Sequence, residues 1–124
     1  MENSILTSTK KILGVAANYT TFDPDIITHI NAALSSLNQL GIGPTLGFGI
    51  EDDSAVWDDL ALPLNQLSMV RAYIYMKVRM MFDPPTTSFH IEAMNKQIAE
   101  FEFRLNVNRE NLIPQPVVEV IVYD

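Results

Sequence analysis

The sequence predicts an all-α fold: a small bundle of about four helices, with a Gly-rich loop between the second and third and an extended, strand-like C-terminal tail. Three observations carry this. Apolar residues recur at helical spacing in four stretches separated by Gly and Pro signals. No stretch before residue 113 reads as a strand long enough to pair. The chain has 124 residues, about half of them apolar, which suits one compact domain with a core of its own. The expected division is a helical domain over 1–110 and an extended arm over 111–124.

Asn3 or Ser4 can cap a short first helix that buries Ile5, Leu6, Ile12 and Leu13, with Gly14 ending it. The second helix is punctuated more clearly. Asp23 is the expected N-cap, Pro24 takes the first helical position, Asp25 lies in the first turn and Gly41 stands just past the end. Ile27, Ile30, Leu34, Leu37 and Leu40 mark its buried face. Thr28, Asn31, Ser35 and Asn38 take the other side.

Four glycines and Pro44 fall between Gly41 and Gly49, which predicts a loop. That loop still carries Ile42, Leu46, Phe48 and Ile50, so it should pack on something. Asp53 or Ser54 can cap a single turn holding Val56, Trp57 and Leu60.

The third helix is expected from about Asn65 to Phe82, stopped by "DPP" at Asp83–Pro85. At 100° per residue, Leu67, Val70, Ile74, Val78 and Met81 fall on one side and Met69, Ala72, Tyr73, Met76 and Met80 on another. Arg71, Lys77 and Arg79 point in three directions. A helix with no polar face must be covered on more than one side, by its own chain or by a neighbouring subunit. The fourth helix is expected from Ser88 to about Arg109, with Ile91, Met94, Ile98, Phe101 and Leu105 as a narrow seam. Glu92–Lys96 and Glu100–Arg104 support it, while Phe89 and Phe103 stand off the seam.

After Asn111 the prolines of "NLIPQP" favour an extended path, and "PVVEVIVYD" follows. An apolar strand without a mate is an aggregation hazard, so it should be kept occupied. Adding to a sheet in another chain is the favoured reading, and folding back over its own helices is the alternative.

Composition narrows the function classes. Cysteine is absent, which removes disulfides, thiolate catalysis and cysteine metal sites. Net charge is −7, with the few Lys and Arg scattered, which argues against a phosphate-gripping surface. The first residues lack a signal-peptide pattern, and no apolar run is long enough to span a membrane. His29 and His90 have no metal-ligand spacing. Glu51, Asp52 and Asp53, with Asp58 and Asp59, bracket Trp57 but lack the spacing of a calcium loop. "GIGPTLGFG" follows a helix and has no lysine, so it is not a phosphate loop. No nucleophile elbow appears. Neither an enzyme nor a cofactor or metal site is expected.

The stretches "FDPDIITHIN", "QLGIGP", "RMMFDPP" and "NKQIAEFEFRLN", in this order, resemble the head–tail connector (adaptor) proteins of tailed bacteriophages, also described as DNA-packaging proteins. The likeness runs from about Ser4 to Asn108 and rests on order and spacing. It implies a non-enzymatic virion protein that forms a ring, with about twelve copies, beneath the portal. Such a ring joins the filled capsid to stopper or tail proteins while DNA passes through. On that reading Trp57, Tyr73, Met76, Met80, Phe103, Val118, Val120 and Val122 are candidate subunit or partner contacts. Glu51, Asp52, Asp53, Asp58 and Asp59 are a candidate acidic surface or lumen that DNA slides past. The rival reading is a cytosolic helical binding module acting as a dimer.

Deleting residues 116–124 is expected to leave the far-ultraviolet circular dichroism of the subunit helical but to block particle joining, read as loss of infectious virions. Infectious particles from the truncated chain would refute the arm's role.

Overall fold

A computed structural model describes residues 3–112, with the backbone alone for 108–112; the tail, including Val118, Val120 and Val122, lies outside the described residues. Four α-helices follow in order: α1 (Ile5–Leu13), α2 (Asp23–Gln39), α3 (Leu64–Phe82) and α4 (Ser88–Leu112), with a 3-10 turn at Trp57–Leu60 before α3. There is no β-strand among the described residues, only an isolated antiparallel bridge between Ser4 and Val56. The bundle is all-α, as the periodicity predicts.

Ser4 is the cap of α1, its Oγ accepting from Thr7 N at 3.2 Å. Gly14 closes the helix at φ 85°, a left-handed conformation that costs glycine little. Ile5 and Leu6 are buried as expected. Ile12 shares the side of Ile5 but lies two turns farther along, and it is exposed. What the end of α1 buries instead is Lys10, only 2% exposed. Its ammonium donates to the carbonyls of Ala17 (3.1 Å) and Tyr19 (2.9 Å) and lies 2.7 Å from Asp23 Oδ1.

This changes the start of α2. Asp23 is the first residue of the helix and not its cap; Phe22 holds the cap position without a side-chain bond. The carboxylate is turned to Lys10 because a buried ammonium needs an anion more than the helix end needs a side-chain acceptor. At the other end the expected glycine is in place. Gly41 N donates to Asn38 O (2.9 Å) and Ile42 N to Leu37 O (2.9 Å), a Schellman closure. The buried stripe of α2 is Ile26, Ile30, Ala33, Leu34 and Leu37, with Ile27 and Leu40 half-buried.

α3 is the central helix. Val70, Tyr73, Ile74, Met76 and Val78 are buried, and α1, α2 and α4 all pack against it. α2 runs antiparallel to it, so that Phe22 meets Phe82 edge-to-face at 5.3 Å. Its three cations lie along ring systems: Arg71 sits 5.0 Å over Trp57, Lys77 5.8 Å over Tyr73, and Arg79 donates to Tyr75 OH at 3.2 Å. Thr87 caps α4, its Oγ1 accepting from His90 N at 3.2 Å. α4 then continues to Leu112, past the expected end at Arg109, because the first residue restrained by a following proline is Ile113. Among its described side chains Ile98 and Leu105 are buried, and Ile91, Met94 and Phe101 are half-buried.

Replacing Lys10 by Met strands the Asp23 carboxylate and two carbonyls. Urea unfolding is expected to show a loss of about 3 kcal/mol, at the low end for a broken buried pair because Asp23 is partly solvated.

Candidate functional site

Three of the expected contact residues are occupied inside the chain's own fold. Trp57 is buried where α1, the loop and α3 meet. Its Nε1 donates to Ser8 Oγ at 2.8 Å, and that hydroxyl donates to Ser4 O at 2.6 Å. Backbone bonds from Ile5 N to Ala55 O (3.0 Å) and from Trp57 N to Asn3 O (3.1 Å) fasten the same corner. Tyr73 is fully buried and donates to Glu102 Oε2 at 2.8 Å. Burial, then the bond and charge of Glu102, push its phenol well above the usual range against an opposing bond from Ser36, so it stays a donor. Met76 is buried as well, and Met80 is half-buried. The near-absence of a polar face on α3 therefore reflects coverage by three helices of its own chain.

On α3 the outward-facing apolar groups stand at its two ends, Leu64 and Met81, and the others lie elsewhere. Phe89 is 74% exposed and Phe103 68%. Fourteen residues separate them, close to four helical turns, so both stand on one side of α4 about 21 Å apart. A second group is Tyr19 and Phe22, which with the half-buried Phe82 form an edge-to-face chain with centroids 5.6 and 5.3 Å apart. The Lys10 clamp holds the backbone of its first member.

A third is Leu46, wholly exposed on the turn Pro44–Gly47, which Gly47 N closes onto Pro44 O at 2.9 Å. The other apolar residues of that loop pack inward: Ile42 and Ile50 are buried and Phe48 is half-buried. Two asparagines of α2 clip the loop down. Asn31 pairs with both backbone groups of Ile50, Nδ2 to O at 3.0 Å and N to Oδ1 at 2.8 Å. Asn38 Nδ2 donates to Pro44 O at 3.1 Å. Sequence reasoning placed both on the solvent side of α2. The signal it missed is their spacing of seven residues, which aligns two amides on one stripe facing the chain that returns from Gly41.

Glu51, Asp52, Asp53, Asp58 and Asp59 are all exposed. Two of them organise the loop. Asp52 Oδ1 accepts from Ser54 N (2.9 Å) and Ser54 Oγ (2.6 Å), and these bonds hold its carboxyl below the usual range. Asp59 Oδ2 accepts from Val56 N at 3.0 Å. The 3-10 turn is thus capped from within, with Val56 at the cap position expected for Asp53 or Ser54, because Asp52 already engages Ser54. Among the described residues, no group of three or more His, Cys, Asp or Glu could hold a metal ion. His90 Nδ1 lies 2.7 Å from the hydroxyl of the cap Thr87.

The charge is divided along the chain. Between Lys11 and Arg71 there is no lysine or arginine, while Asp23, Asp25 and the five acids of the loop all fall there. The α2-and-loop half of the chain is acidic, and the α3–α4 half carries most of the cations.

A family model for phage connector proteins matches residues 5–112, which takes in all four helices. The chain belongs to the phage connector protein family, whose members are structural. Searches among curated proteins and among solved structures returned no match. No helix among the described residues is long and apolar enough to cross a membrane.

Phe89→Ser and Phe103→Ser are expected to change urea-unfolding stability by less than about 0.5 kcal/mol, as for surface positions. Trp57→Ala should cost about 3–5 kcal/mol, since it empties a core site and leaves Ser8 without its donor.

Proposed function

We propose that the protein is a subunit of a ring of about twelve copies beneath the portal, joining the DNA-filled capsid to the stopper or tail proteins and lining the DNA exit channel. The observation that carries this reading is the family match across the whole bundle. The surface is consistent with it. Head-to-tail closure needs two different patches on each subunit. Phe89 and Phe103 on α4 offer one, and Tyr19 with Phe22, or Leu46, offers another.

Of the contact residues expected from sequence, Phe103 and Met80 retain surface for a neighbour. Trp57, Tyr73 and Met76 act from beneath, shaping the helices that carry that surface. The arm, residues 111–124 beyond the helical domain 1–110, would bring Val118, Val120 and Val122 to an adjacent protein. Glu51, Asp52, Asp53, Asp58 and Asp59 would line the lumen, where carboxylates repel phosphates and leave DNA free to slide. The protein would then reside at the head–tail interface of the virion after assembling in the host cytoplasm.

Light scattering on the size-exclusion eluate, with and without portal, tests the reading. A ring, or a monomer that becomes a ring only with portal, is the expected result. A stable dimer without affinity for portal overturns it and favours a dimeric binding module.

A further inference from the structure

We infer that α4 is a hinged strap, which undocks from α3 as one unit about residues 83–87 while α1, α2, the Gly-rich loop and α3 stay assembled. The inference stands on the packing of the subunit and is independent of the ring.

The first three helices and the loop are tied to one another repeatedly. Lys10 joins α1 to the start of α2, and Trp57 with Ser8 joins the loop to α1. Asn31 and Asn38 clip the loop to α2, and the bridge between Ser4 and Val56 adds a backbone tie. α4 is held differently. It packs extensively against α3 alone. Among its described side chains only Ile98 and Leu105 are buried, and its ties to α3 include the Tyr73–Glu102 hydrogen bond.

The ends that flank the hinge are closed within their own helices. Asp83 N donates to Arg79 O at 2.9 Å, and Arg79 Nε donates to Asp83 O at 2.9 Å, which finishes α3. Thr87 caps α4 through His90 N, and Ile91 N donates to Thr87 O at 3.0 Å. Opening at 83–87 therefore breaks no cap. Pro84 and Pro85 keep the segment out of either helix. At 25 residues, α4 is long enough to keep much of its helicity when undocked, helped by the Glu100–Arg104 pair. The cost of opening includes the seam of Ile98 and Leu105, the half-buried Met94 and Phe101 beside it, and the Tyr73–Glu102 bond, and it falls short of unfolding the whole chain because the ties among α1, α2, the loop and α3 are kept. Since Phe89 and Phe103 ride on the outer side of this strap, a partner that binds them binds an element with two positions.

Native-state amide hydrogen exchange on the full chain, resolved by peptide and repeated in low denaturant, tests this. Amides over 91–107 should exchange at least about tenfold faster than those of α2, with a shallower dependence on denaturant. A common rate and slope for α4 and α2 would overturn the inference, and so would exchange that rises only toward the C-terminal end of α4, which marks fraying. Tyr73→Phe, which keeps the ring and removes the donor to Glu102, should speed α4 a further ~10-fold and α2, which loses only the contact of Ser36, by much less. Equal acceleration of both helices would again overturn it. If that variant fails to fold, the wild-type comparison alone decides.

Discussion

α3 carries apolar side chains around most of its circumference, and such a helix is stable in water only when neighbours cover it on several sides. The rest of the subunit follows from that requirement. α2 lies antiparallel along one side, the first helix and the Trp57 corner close a second, and α4 closes a third. The cations that α3 does carry are accommodated over aromatic rings or at the helix end, so they add no polar face. Coverage from within leaves the outward apolar surface to the two ends of α3, the far side of α4 and the two loops.

The polar atoms that enter this interior come paired. Lys10 meets a carboxylate and two carbonyls, the indole N–H of Trp57 meets Ser8, and the hydroxyl of Tyr73 meets Glu102. Each tie joins segments distant in sequence, and each would leave a costly orphan if one member were lost. They make the arrangement of the elements specific where apolar contacts alone would tolerate sliding. In the Lys10 clamp that specificity reaches the surface, because the carbonyl it grips belongs to Tyr19, one of the outward aromatic rings.

Much of the architecture was legible because it is written in local signals. Helix stops lie at Gly14, Gly41 and Asp83–Pro85, and Ser4 caps the first helix, all readable from residue chemistry at fixed offsets. The seam of α4 and most of the stripe of α2 follow from periodicity. What escaped is tertiary. Nothing near Lys10 in the sequence says that its partner stands thirteen residues on, so Asp23 reads as a cap. Asn31 and Asn38 look like solvent-facing amides until the loop is folded over them. The apolar circumference of α3 was read correctly as a need for cover, but periodicity is silent on who provides it. Hence Trp57, Tyr73 and Met76 resembled contact residues, although the chain buries them itself. The exposed rings of Phe89 and Phe103 were visible as departures from the seam.

Two glycines show how differently this backbone can insist on the smallest residue. At Gly14 a methyl group would meet nothing within 4 Å, yet φ is 85°. The penalty there, about 1–2 kcal/mol, comes from handedness and hardly depends on the size of the newcomer, so asparagine is the mildest replacement. At Gly49 the dihedral is ordinary, but a methyl would stand 3.3 Å from the amide oxygen of Asn31. Bulk governs that position, where even the first added carbon presses on the clip that holds the loop. Natural variation should therefore run to asparagine at the first site, whereas the second should change only in step with residue 31.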